Sequence, residues 1–201
     1  MVRRDLAWRV KGPLAACIPL GLLLLGACVS KLPPETASRG AQAPLTPADW
    51  FERSWLDEQG KAVKLSTWRG TPLVLTMVYR TCRSRCPMTI HKLQRVERAF
   101  RAHGRNANFV LVTLDPLGDT PPQLAAFKKE QGFDSWWHLL GGELNQTRAL
   151  ARFLRVRPAY DDNHIDHEVR TAVFDAQGRL VENIAGWAFD DNEPVLATSR
   201  E

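Results

Sequence analysis

The 201-residue chain has only four cysteines, three methionines and two tyrosines, and its longest apolar stretch falls short of the about 20 residues that a membrane-spanning helix needs. So few cysteines exclude a disulfide framework, and the missing spans exclude a polytopic membrane protein. An excess of one charge is lacking too. The formal net charge is +5, of which Arg3, Arg4, Arg9 and Lys11, offset by Asp5, supply +3, leaving +2 for the remainder. That remainder has no electrostatic footprint for nucleic acid. No internal repeat is visible, which excludes a solenoid. What is present, 44% hydrophobic and 24% charged residues, suits one ordinary globular domain with a real core.

The first residues read as a targeting segment: a basic start, then an apolar run from Leu14 to Ala27 interrupted by Pro19. The run ends in Leu25-Gly26-Ala27-Cys28, which resembles the lipobox at which bacterial lipoproteins are acylated on the thiol and cleaved just before it. Residues 1–27 are therefore expected to be a lipoprotein signal peptide and Cys28 the lipidated residue. Val29, where an aspartate would signal retention, favours outer-membrane sorting if the source cell has an outer membrane. Small, polar and proline-rich residues follow to position 48, the composition of a tether. Such a tether spans at most about 65 Å stretched and about 25 Å as a coil. The expected location is an exported domain, anchored to a membrane and facing the periplasm or extracytoplasmic space.

From residue 49 to 201 the pattern alternates between strand-like and helix-like segments. Trp50 to Leu56 and Ala62 to Leu65, around Asp57-Glu58-Gln59-Gly60, predict a hairpin. Leu73 to Tyr79 and Asn108 to Leu114 are continuous apolar and β-branched runs, as strands buried on both faces require, and Trp137 to Leu140 is a shorter one. Helical spacing covers Pro87 to His103, Pro121 to Gln131 and Asn145 to Leu154. Val169 to Phe174 and Leu180 to Ile184 close the chain as a second hairpin. The expected fold is α/β, a central mixed sheet with helices on both faces and an N-terminal hairpin.

With Cys17 in the apolar run of the leader and Cys28 carrying lipid, Cys82 and Cys86 are the pair left to the domain, in Tyr79-Arg80-Thr81-Cys82-Arg83-Ser84-Arg85-Cys86-Pro87. They stand between the first long strand and its helix. Pro87 is expected at the first helical position, with Cys86 near the N-cap. Thiols there, among three arginines, should deprotonate readily, and thiolate is both nucleophile and metal ligand. The pair suits a reversible disulfide or a two-sulfur clamp for a soft ion such as Cu(I). A permanent disulfide closing so short a loop would add little stability.

A further ligand would come most readily from histidine. His91 and His103 read as solvated and His138 as packing. His164 and His167 stand in a polar loop before the Val169 strand, and spacing alone does not choose between them. Both together with the cysteines would also permit zinc. Asp115, at a strand end, points toward the same sheet edge as the cysteine loop, where it would steer a thiol or a metal or simply close a turn. Asp119 or Thr120 reads as a helix cap.

Thr81-Cys82-x-x-x-Cys86-Pro87, Asp115-Pro116-x-x-Asp119-Thr120-Pro121, and Ile165-Asp166-His167 before a strand ending in Asp175-x-x-Gly178 together resemble the SCO/SenC copper chaperones over residues 50 to about 187. The resemblance implies a thioredoxin-like three-layer fold and copper held by Cys82, Cys86 and His167, with Asp115 and Asp166 behind them. His167 rather than His164 matches the family's histidine in register. It also implies delivery to the binuclear copper centre of cytochrome c oxidase, with the oxidase's copper-centre subunit, and another periplasmic copper carrier, as partners. Two features depart from the family: the Arg-Ser-Arg insertion is more basic than the proline-containing one common there, and the tail after Trp187 is short.

Three function classes fit these residues: a copper metallochaperone, a thiol-disulfide oxidoreductase that reduces the target's cysteines, and a redox or copper sensor. The first needs His167; the second needs only Cys82 and Cys86.

Overall fold

The computed structural model describes residues 45–161 and 164–187. These belong to one compact unit, residues 42–201. The expected signal peptide, Cys28, most of the tether and the tail beyond Trp187 lie outside the described residues. Among those described, no helix is long and apolar enough to cross a membrane.

The domain opens with α1 (Pro47–Glu52), where a strand was expected from Trp50. Local capping decides the difference. Asp49 Oδ2 accepts from the Thr46 N–H at 2.7 Å, the Thr46 hydroxyl oxygen accepts from the Asp49 N–H at 3.4 Å, and Pro47 sets the first helical φ. This box turns Trp50 and Phe51 inward, against Phe153 and Phe174, with ring centroids 5.7 and 5.2 Å apart. The fold therefore begins a few residues before position 49, since Leu45 also packs on the core.

The hairpin β1 (Ser54–Asp57) and β2 (Ala62–Lys64) turns at Gly60, whose φ of +76° lies in the left-handed region that favours glycine. A 3-10 turn, Leu65–Trp68, leads to β3 (Leu73–Val78). Next come α2 (Arg85–Ala102), β4 (Asn108–Thr113), α3 (Pro121–Glu130), β5 (Trp137–Gly141) and α4 (Leu144–Phe153). The short strands β6 (Ala159–Asp161) and β7 (His164–Asp166) pair only with each other, in what reads from the sequence as loop. The closing hairpin is β8 (Arg170–Phe174) with β9 (Leu180–Ala185).

The seven-stranded sheet runs β2-β1-β5-β4-β3-β8-β9, with β3, β4 and β5 parallel and the remaining pairs antiparallel. Every residue of β3 is buried, so both sheet faces are covered. The crossovers β3-α2-β4 and β4-α3-β5 step the same way across the sheet, which places α2 and α3 on one face and leaves the other to α1 and α4. This is the expected three-layer α/β arrangement.

The topology fixes where distant loops meet. Because β8 runs antiparallel to β3, with Thr76 opposite Thr171, the segment entering β8 lies beside the segment leaving β3. The loop after β4 arrives at the same edge.

Candidate metal centre

Cys82 lies in the loop between β3 and α2, and Cys86 in the first turn of α2. Ser84 is the N-cap, so Cys86 is the second helical residue and Pro87 the third, two positions deeper than the sequence suggests. Proline still costs nothing there, because first-turn N–H groups have no partner within the helix. The free Cys86 N–H instead donates to Cys82 Sγ at 3.4 Å.

His167, brought by the segment entering β8, places Nε2 3.9 Å from Cys86 Sγ. The two sulfurs and an imidazole nitrogen all lie within 4.8 Å of one another, and all three residues are buried. An ion held by three ligands at ordinary bond lengths would set its donors about 3.5–4 Å apart, so a small contraction closes the site. The donor set, two sulfurs and one imidazole, selects a soft or borderline metal.

His167 is prepared as a ligand. Its Nδ1 lies 3.1 Å from the Glu168 carbonyl, which can only accept, so Nδ1 carries the proton and Nε2 offers its lone pair. Burial, joined by the Arg85 charge, pushes its pKa below the usual histidine value and keeps the ring neutral.

The two thiols are not equivalent. Burial opposes ionisation of Cys82, but hydrogen bonds from the Cys86 thiol, the Cys86 and Ser84 amides and the Tyr79 hydroxyl outweigh it and lower the pKa. Burial and the bond to Cys82 push Cys86 far up. The expectation of two readily ionised thiols therefore holds for Cys82 and fails for Cys86. The arginines do not rescue Cys86, because Arg80 pairs with Asp119 at 3.6 Å and Arg85 with Asp166 at 2.8 Å.

The SCO1/SenC family model matches residues 51–199. This chain belongs to the SCO1/SenC family. Its fold is similar to that of Bradyrhizobium japonicum ScoI, solved with copper bound, at a TM-score of 0.61 and 23% identity over 73% of this chain and 95% of that one. It is also similar to a SCO1/SenC family lipoprotein from Bacillus anthracis, at a TM-score of 0.63 and 20% identity over 72% and 86%. A third similar structure is BsSco, described as a member of the Sco family of cytochrome c oxidase assembly proteins with a disulfide switch, at a TM-score of 0.59 and 17% identity over 68% of this chain and 83% of that one. No curated protein matches the chain. The fold shared with these family members is the thioredoxin-like one expected from the sequence.

The remaining candidates of this SCO1/SenC domain fall in distinct places. His164 is exposed, its Nδ1 3.0 Å from the Tyr79 hydroxyl. His91 is exposed on α2 and His103 at its C-cap, and His138 stacks on Trp68 with Nε2 3.1 Å from Asn108 Oδ1. Asp115 closes the turn after β4, its Oδ1 accepting from the Gly118 N–H at 3.0 Å. Asp166 holds Arg85.

Three residues near the centre have roles that the sequence did not reveal. Tyr79 directly follows β3 with its hydroxyl accepting from the Ile165 N–H at 3.3 Å, and burial pushes its pKa up to about 12. Asp119 is not the cap of α3; that is Thr120, while the buried Asp119 carboxylate accepts from the Arg80 N–H and the Thr113 hydroxyl. Arg85 reaches across to the histidine segment. One of only two tyrosines, at a strand end, is a signal that could have been read; the Arg85 contact has none.

Proposed function

We propose that this chain carries copper on Cys82, Cys86 and His167 and delivers it to the binuclear copper centre of cytochrome c oxidase. The observation that carries the reading is the gathering of two sulfurs and one neutral imidazole within 4.8 Å, at a single sheet edge. Two thiolates suit Cu(I), and the imidazole adds the nitrogen that Cu(II) prefers. The copper-bound ScoI neighbour and the oxidase-assembly description of BsSco support the cargo and the destination. A carrier of this kind receives copper from another carrier outside the cytoplasm and hands it to the oxidase's copper-centre subunit. Cys28 serves as the lipid anchor; the lipoprotein neighbour from Bacillus anthracis supports that address.

A second reading rests on the split between the thiols. Cys82, the more acidic, suits attack on a target disulfide, and the buried Cys86 suits resolution of the mixed disulfide. His167 separates the two. In cells lacking the wild-type protein, His167→Ala is expected to keep a reversible Cys82–Cys86 disulfide and fail to restore oxidase copper-centre assembly. Full restoration would replace the carrier with the reductase.

A further inference from the structure

Arg85 precedes Cys86 and Asp166 precedes His167, so any bond between Arg85 and residues 166–167 spans the same gap as the sulfur and the imidazole. Two such bonds exist. Arg85 Nη1 donates to Asp166 Oδ1 at 2.8 Å and to the His167 carbonyl oxygen at 2.6 Å.

The Asp166 bond alone would hold little, because the two side chains are 46% and 64% exposed and water competes for both charges. The second bond is different. It is charge-assisted, and its acceptor is the backbone of the donor-bearing residue itself. The arginine end is well anchored: the Thr89 hydroxyl donates to the Arg85 carbonyl at 2.9 Å and accepts from Trp187 Nε1 at 3.0 Å, and Thr89 is buried. The histidine end has less support: β7 has only three residues and pairs with a strand equally short, and the Tyr79 hydroxyl holds it at His164 and Ile165, upstream of the ligand. Its ring orientation comes from the Glu168 carbonyl, one residue away on the same segment, which moves with it.

We infer that Arg85 is a positioning residue: it braces the 166–167 backbone against the first turn of α2 and thereby holds His167 as the third donor beside the sulfur pair. This rests on the copper reading above. The brace acts on the imidazole and leaves the sulfurs alone, so it separates Cu(II) binding, which needs the nitrogen, from Cu(I) binding, which two sulfurs sustain. It also gives the basic insertion between the cysteines a structural role.

The test uses the full chain, reduced and kept anaerobic, titrated separately with Cu(I) and Cu(II) ions, with amide hydrogen exchange of residues 164–170 read on the metal-free protein. Arg85→Ala is expected to weaken Cu(II) binding by about tenfold or more and alter its electron paramagnetic resonance spectrum, with a much smaller change for Cu(I). Arg85→Lys, which keeps the charge without the planar fork, should recover part of the loss. Exchange over 164–170 should quicken in Arg85→Ala while that of β3 stays unchanged. Unaltered Cu(II) binding, equal weakening of both ions, or unchanged exchange over 164–170 would overturn the brace. Should the wild type bind no copper, the carrier reading fails, and the exchange measurement alone decides the brace.

Discussion

Asp119 Oδ2 accepts a hydrogen bond from the Arg80 backbone N–H at 3.0 Å and so ties the cysteine loop to the β4–α3 connection. The same oxygen accepts from the Thr113 hydroxyl at 2.6 Å, at the end of β4. Burial raises the pKa of this carboxyl, although both hydrogen bonds work against the rise. Both donors need an acceptor; neither needs a negative charge.

An amide oxygen can occupy the same place, which separates hydrogen bonding from charge. Asp119→Asn keeps both bonds and gives up only the ion pair with the partly exposed Arg80 guanidinium, so it should cost much less than Asp119→Ala. Asp119→Ala leaves the Thr113 hydroxyl and the Arg80 N–H without that acceptor and should cost about 1–3 kcal/mol. Chemical denaturation of the two variants checks the ranking; equal losses would show that the charge matters.

The thiol asymmetry predicts an order of alkylation. At mildly alkaline pH, Cys82 should react with a small haloacetamide at least about tenfold faster than Cys86. Cys86→Ser should retain the fast site and Cys82→Ser should retain only the slow one, as read by mass spectrometry over time.

His138 sets a pH dependence remote from the centre. Burial first, and the Lys128 charge second, depress its pKa to about 4. The folded protein thus holds His138 neutral while the unfolded chain protonates near pH 6.5, so unfolding takes up a proton between those values. Stability from this group is present above about pH 6.5 and lost as pH falls toward 4, by a total on the order of 3 kcal/mol. His138→Gln keeps a donor for Asn108 and does not titrate, so its urea midpoint should fall less steeply across that window; parallel curves would contradict the assignment.

Much of the fold was legible because its central strands are buried on both faces, and a run such as Leu73 to Val78 declares this directly. The first helix was obscured: Trp50 and Phe51 read as strand residues, and the Thr46-Pro47-x-Asp49 capping signal before them outweighs their preference. β6 and β7 carry no burial periodicity, since five of their six residues are exposed, so nothing in their pattern distinguishes them from a loop. At the candidate centre, residue chemistry pointed to the cysteines, but the histidine was selected only by family register. The physical reason lies in topology: Cys86 and His167 meet because β8 runs antiparallel beside β3, a pairing that local spacing does not encode. The roles of Asp119 and Arg85 were hidden for the same reason, each bonding to a segment far away in the chain.

Copper titration of the purified chain and its histidine variants tests the central claim most directly. The account predicts one copper per wild-type chain, loss of that copper in Cys82→Ser and Cys86→Ser, severe weakening of Cu(II) binding in His167→Ala, and little change in His164→Ala. A wild type that binds no copper, or a His164→Ala variant weaker than His167→Ala, would contradict it.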